Sequence, residues 1–291
     1  MRVSFNEKLF YQFNALVLGL IALSCLLPIV HIAALSMSDP HYIVSGSVSF
    51  WPKGWSFDSY RLLIDGTRIM QSFLNSVVIT VLGVGLSLAF TILAAYPLAR
   101  TYMYGRRFFT LAIVFTMLFS GGMIPTYLVI KSLGLMNTYG AIWLPSLIST
   151  YYMLIMRTFF ANIPGELEEA ARMDGCGEFR YLIRIVLPLS LPVIATVALF
   201  YAVGYWNSFL SVLMYIQDTE KYNLAVLVQQ MISSQSLLQE INNLPVGEQT
   251  AATPEGIKSA GIMIMVIPML LIYPFLQRYF IQGVMIGAIK G

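Results

Sequence analysis

The chain has 291 residues, of which 58% are hydrophobic and 11% charged, and its mean hydropathy is +0.74. Soluble domains are roughly half apolar and about a quarter charged, so this composition excludes an ordinary soluble fold and places the chain in a bilayer. A formal net charge of +3 does not make a nucleic-acid-binding footprint.

A hydrocarbon core about 30 Å thick takes roughly 20 apolar residues per helix, with every backbone polar group satisfied within the helix. Apolar runs at about 10–35, 73–99, 108–130, 140–160, 189–216 and 259–281 predict six spans in one all-α transmembrane domain covering 1–291. The first run far exceeds the roughly 7–15 residues of a signal-peptide core and is read as a span. Arg2, Lys8, Arg100, Arg106, Arg107, Arg157, Arg172, Arg180, Arg184, Arg278 and Lys290 then fall on one side of the membrane. Lys53, Arg61, Arg68, Lys131, Lys221 and Lys258 fall on the other, with Asp39, Asp58, Asp65, Asp218, Glu220, Glu240, Glu248 and Glu255. Basic residues accumulate in cytoplasmic segments, so both termini are expected there.

The first span contains Cys25, and His31 and His41 lie near its outer end without the carboxylate or thiol neighbours of a zinc site. With Cys176 in a cytoplasmic loop, no disulfide within the chain is expected. The first outer loop carries Trp51, Pro52, Gly54 and Trp55, which suit either the headgroup zone or contact with an external partner. In the second span Ser76, Thr80, Gly83, Ser87 and Thr91 share one face, for close helix packing or for lining a path. Ser120-Gly121-Gly122 with Pro125 predicts a locally irregular third span.

A polar insertion, 161–188, follows the fourth span. Pro164 suits a first helical turn, and Glu166, Glu168 and Glu169 favour the positive end of the helix dipole, which predicts a short helix from about Pro164 to Asp174. Leu167, Ala170 and Ala171 form a narrow face of small apolar residues on it. Gly175-Cys176-Gly177 ends this helix, and a second from Glu178 is expected to stop before Pro188, which disfavours helical geometry at Leu187. The product is a helix-turn-helix bracket; alone it reads as an interfacial amphipathic segment as readily as a docking surface. In the fifth span Phe200, Gly204, Asn207 and Ser211 share a face, with Tyr201, Tyr205 and Trp206 beside it. The fifth loop, 217–258, is long for a loop: Tyr222–Ile232 is apolar and helix-like, and the remainder is polar and Gly/Pro-containing. It suits a reach toward a docked extracytoplasmic protein or a surface cap. The tail Gly283–Gly291 is small and basic at Lys290.

Glu169-Ala170-Ala171, three residues, Gly175, nine residues, then Ile185-x-Leu187-Pro188 resembles, without a mismatch, the signature loop of permease subunits of binding-protein-dependent ABC importers. Ala94–Arg100, Gly122–Tyr127, Trp206-Asn207 and Gly283–Gly291 extend the likeness over nearly the whole chain, toward the carbohydrate branch and the smaller, six-span permease of the maltose importer. The extended fifth loop looks more like the permeases of complex oligosaccharide and polysaccharide importers, the alginate importer among them. The resemblance implies a type I ABC importer transmembrane domain in the bacterial cytoplasmic (inner) membrane. Its ATPase-coupling residues would be Glu169, Ala170, Ala171, Asp174, Gly175, Ile185, Leu187 and Pro188. It further implies a second permease subunit in a heterodimer, two ATPase subunits and an extracytoplasmic sugar-binding protein, with a tail that can insert between the ATPase subunits.

None of Lys8, Lys53, Lys131, Lys221, Lys258 and Lys290 follows a glycine, so the phosphate-cradling G-x-x-x-x-G-K-[ST] loop is absent. No cofactor is therefore expected in this chain; ATP and Mg would be bound by the partner ATPase. A carbohydrate path would use Tyr201, Tyr205, Trp206, Asn207 and Ser211, with Ser76 and Thr80 of the second span, because rings stack on sugar faces and an amide bonds hydroxyls at both ends. Helix packing explains the same pattern. The spans carry no evident ion-binding acid, which weighs against the alternative of an ion-gradient-driven secondary transporter. They also lack the nucleophile, paired-acid or metal constellation of an intramembrane hydrolase.

Overall fold

The computed structural model describes residues 5–233 and 253–288. The polar stretch of the fifth loop beyond Ser233, the amino-terminal Arg2 and the terminal Lys290 lie outside the described residues. Among the described residues the chain is helical, with one isolated antiparallel bridge, Ser38 to Trp55, and no strand. In order the helices are α1 (Phe5–Ser36), α2 (Pro40–Val44), α3 (Asp58–Gly66), α4 (Ile69–Ala99), α5 (Arg106–Leu118), α6 (Met123–Ser132), α7 (Gly140–Trp143) and α8 (Thr150–Ala161). They continue with α9 (Gly165–Met173), α10 (Glu178–Tyr181), α11 (Leu187–Leu189), α12 (Leu191–Trp206), α13 (Phe209–Tyr215), α14 (Leu224–Ser233) and α15 (Pro254–Ala288).

Among the described residues three helical stretches are long and apolar enough to cross a membrane: Glu7–Ser36, Ile69–Ala99 and Pro254–Ile272. Two bent pairs pass the same test if each counts as one span, α5 with α6 at 112° and Glu178–Leu189 with α12 at 81°. The expected irregularity of the third span sits at the first of these breaks, where Gly122 takes φ +87°. The run expected as a span at 140–160 is split into α7 and α8 around Pro145. Proline supplies no amide donor, and the Ser149 amide donates to the Tyr201 hydroxyl at 2.9 Å.

The bracket also departs from expectation at Pro188. Leu187 stays in the right-handed helical region, and the chain turns after Pro188, at Ser190. A π-helical turn at Leu182–Val186 widens the helix there, which accommodates a proline that would otherwise clash one turn back.

The chain divides into two compact units, 1–70 with 228–267 and 71–227 with 268–291. In the first, the outer loop is folded: Tyr60 donates to Ser36 Oγ at 2.9 Å, and the Lys53 amide to Ser38 Oγ at 3.1 Å. Asp39 caps α2, and His31 bonds the Ser49 carbonyl at 2.6 Å. Gly256 packs closely here, since a Cβ there would lie 2.6 Å from Ser59 Oγ and force that side chain to shift. In the second unit α4, α8 and α12 converge on a core that includes Ile79, Leu98, Met153, Met156, Phe160, Val186 and Val197.

Candidate functional site

The bracket is built from local rules. At the end of α9 the Cys176 amide bonds the Ala171 carbonyl at 2.9 Å and the Gly175 amide bonds the Arg172 carbonyl at 3.0 Å. This is the six-to-one, five-to-two pattern of a Schellman cap, with Gly175 at φ +72° in the left-handed position that favours glycine. No atom lies within 4 Å of a Cβ built on Gly175, so the requirement is conformational and not one of space. The small apolar face divides. Ala171 is buried in the core, whereas Glu169, Ala170, Asp174 and Pro188 are exposed and Ile185 and Leu187 are half-buried. Met173 and Phe179 stand out, 87% and 69% exposed.

Beneath that surface a ring of charges ties the bracket to the end of α4. Arg100 Nη1 donates to Glu168 Oε2 at 2.8 Å, Arg172 reaches Glu168 at 2.8 Å, and Arg172 reaches Glu178 at 2.7 Å. The Tyr96 hydroxyl donates to Glu178 at 2.7 Å and the Tyr102 hydroxyl at 3.0 Å. The Arg100 guanidinium lies 4.5 Å from the centre of the Tyr96 ring and 5.0 Å from that of Tyr181, and Arg172 lies 4.9 Å from that of Tyr102. Burial pushes the Glu178 carboxyl up, but hydrogen bonds from Tyr96 and Tyr102 and the charges of Arg172 and Arg100 outweigh it and hold it below the usual carboxylate range. Glu178 is thus ionised at neutral pH. The same burial and the same carboxylate push the Tyr102 phenol up. A cavity of about 440 Å³, lined by Arg100, Tyr102, Phe160, Glu168, Glu169 and Arg172 among others, opens beside this ring.

A second feature of the same unit gathers part of the proposed path. Tyr201, Tyr205 and Ser211 line a cavity of about 400 Å³ with Ser149, Tyr152, Phe200 and Gly204. The Tyr201 and Tyr205 hydroxyls meet Thr91 and Ser87 of α4, each at 2.8 Å, and Tyr152 stacks on Phe200 with centroids 5.5 Å apart. The other residues expected on the path lie elsewhere. Asn207 is exposed and bonds the Val203 carbonyl of its own helix at 2.9 Å, and Trp206 is buried edge-on to Phe73 at 6.0 Å. Ser76 accepts the Leu224 amide at 2.8 Å, an N-terminal contact of α14, and the Thr80 hydroxyl is buried without a hydrogen-bond partner among the described residues.

Residue-by-residue reading passed over several anchors. Arg100 counted toward orientation and the Ala94–Arg100 likeness but not as an anchor, and Glu168 only toward the helix dipole, although Glu168 and Arg172 stand at the i, i+4 spacing that pairs charges on a helix. Asn75, which donates to the Glu220 and Tyr222 carbonyls at 2.7 and 2.9 Å, and Asn137, whose side chain receives the Gln217 and Asp218 amides at 3.2 and 3.0 Å, hold the start of the fifth loop. A polar amide at the end of an apolar run was the available signal.

The family described as the binding-protein-dependent transport system inner membrane component matches residues 68–286. The polygalacturonan/rhamnogalacturonan transport system permease protein YtcP of Bacillus subtilis is 42% identical over 282 residues, covering 96% of this chain and 98% of its own. Protein LplC of the same organism is 43% identical over 285 residues, covering 98% and 96%. A chain in the crystal structure of a bacterial ABC transporter involved in the import of the acidic polysaccharide alginate superposes with a TM-score of 0.87 at 31% identity, covering 95% of this chain and 98% of that one.

Proposed function

Since this chain belongs to the family of inner membrane components of binding-protein-dependent transport systems, we propose that it is the permease subunit of an ABC importer and forms half of the translocation pathway for an oligosaccharide or polysaccharide fragment. The observation that carries the coupling half of this reading is the bracket at 165–189. It presents Met173, Phe179 and the exposed Ala170 outward while Arg100 and Glu168 hold it from beneath. A surface of that kind suits insertion into a separate ATPase subunit, which binds ATP and Mg. The cargo class rests on relatives named for polygalacturonan, rhamnogalacturonan and alginate, together with the tyrosine-lined cavity. The full complex pairs this subunit with a second permease, two ATPase subunits and an extracytoplasmic binding protein. Six spans with both termini in the cytoplasm complete the reading.

The discriminating measurement is uptake of a labelled oligogalacturonide into membrane vesicles. ATP is expected to drive it, and collapse of the proton and sodium gradients to leave it unchanged. Uptake that follows an ion gradient without ATP would mean a secondary transporter and end this reading.

A further inference from the structure

Building on the docking of the bracket just described, we propose that Arg100 is a positioning residue that passes movement of the bracket to α4, and through α4 to the tyrosine-lined cavity. Chain connectivity alone points to the flanking helices α8 and α12 as the elements a moving bracket would pull. The charged contacts run instead to α4, whose last residue precedes Arg100.

The Arg100 side chain is 9% exposed and that of Glu168 16%, whereas Arg172 and Glu178 are each 51% exposed. Exposed pairs contribute little, while removing one partner of a buried pair strands a charge. Arg100–Glu168 is therefore the member of the ring that resists displacement. The remaining face of the guanidinium is closed by the Tyr96 and Tyr181 rings, with Nε and Nη2 left without hydrogen-bond partners among the described residues. Arg100 is held by α4 through Tyr96, by α9 through Glu168 and by α10 through Tyr181. Tyr96 also bonds Glu178, which closes the ring.

Further along α4, Thr91 and Ser87 hold the Tyr201 and Tyr205 hydroxyls at 2.8 Å. At 1.5 Å rise per residue these contacts lie about 14 and 20 Å from Arg100 along the helix. α4 runs without a break from Ile69 to Ala99, with Pro97 inside its last turn, and its hydrogen-bonded side chains near both ends make it a physical connection between the docking surface and the cavity. Its coupling has to be measured as a non-additivity.

The test uses the complex purified with its ATPase subunits, in a background where Cys25 and Cys176 are replaced by serine and Ser211→Cys reports on the cavity. Fluorescein maleimide labelling is timed without nucleotide and with ATP, Mg and vanadate. Nucleotide is expected to change the labelling rate by about fivefold or more, the lower end of ordinary coupling between sites. Arg100→Gln should abolish most of that change while the ATPase subunits stay bound and continue to hydrolyse ATP. Arg100→Lys should restore only part of it, since lysine has neither the fork nor the planar stacking surface. Thr91→Val, distant from the bracket, should also blunt the change, and the double variant with Arg100→Gln should be no worse than either alone. An unchanged response in Arg100→Gln, additive losses in the double variant, or release of the ATPase subunits by Arg100→Gln would each overturn the proposal. Should the unsubstituted chain fail to co-purify with an ATPase subunit, the docking reading itself falls, and that is seen before any variant is made. Where Arg100→Gln does not fold, Thr91→Val alone decides: a full response in it overturns the connection.

Discussion

At Gly175 a single backbone torsion decides the shape of the bracket. With φ at +72°, a β-branched residue there takes on a left-handed conformation that costs roughly 1–2 kcal/mol, whereas asparagine enters that region more readily. Because no atom lies within 4 Å of the added Cβ, bulk as such meets no obstacle inside this chain. Gly175→Val is expected to speed backbone hydrogen exchange across 165–181 in the purified chain, and Gly175→Asn to leave it near that of the unsubstituted protein. Equal exchange in the two variants would show that the torsion is not what holds the turn. The glycine was legible in the sequence as a helix stop, but a second consequence was not. In α9, which it ends, Ala171 lies inward and Ala170 outside, so the small-residue face serves both the core and the exposed surface.

Among the elements, α4 shows how a stripe of small residues is used. A Cβ on Gly83 would lie 2.8 Å from the Tyr205 ring, and that ring is pinned by its hydroxyl to Ser87. The stripe is thus a seat for the tyrosines of α12, which provides close packing and fixes the wall of a cavity at once. Gly83→Ala is expected to destabilise the chain by about 1–3 kcal/mol, the usual cost of overpacking a filled site, read as a lower thermal unfolding midpoint in detergent. Adding Tyr205→Leu should recover part of the loss by freeing the space; a double variant worse than the sum of the two would contradict this packing. The π turn in Leu182–Val186 is the contrasting element. Pro188 was expected to end the helix before it, but the helical stretch runs through it to Leu189, and the widened turn leaves the bend beyond it, at Ser190.

For the molecule as a whole, α1 is the clearest statement about surroundings. None of the apolar window in Glu7–Ser36 is buried within the chain, and Leu9, Phe10, Phe13 and Leu16 are more than half exposed. A helix apolar on all sides has to be covered by lipid or by another subunit. The charge bias then sets its direction. In the cysteine-free background, a membrane-impermeant maleimide applied to intact cells should label Lys53→Cys in the first outer loop and spare Tyr104→Cys between α4 and α5. The reverse pattern would invert the orientation.

The sequence by itself determined the solvent, the helical class, the expected orientation and the signature bracket with its glycine stop. Each follows from composition, charge or a torsional need that acts over a few residues. The tertiary structure alone decided which side chains meet across the fold: Arg100 with Glu168, 68 residues on, and Thr91 with Tyr201, 110 residues on. The reason lies in the helices themselves. α4 and α12 carry almost no net amphipathic preference, so periodicity marks the small and hydroxyl stripe on α4 but leaves undetermined which neighbour that stripe faces. Only packing against their neighbours turns Thr91 toward Tyr201, withdraws Asn207 to its own backbone, and seats a buried arginine under the bracket.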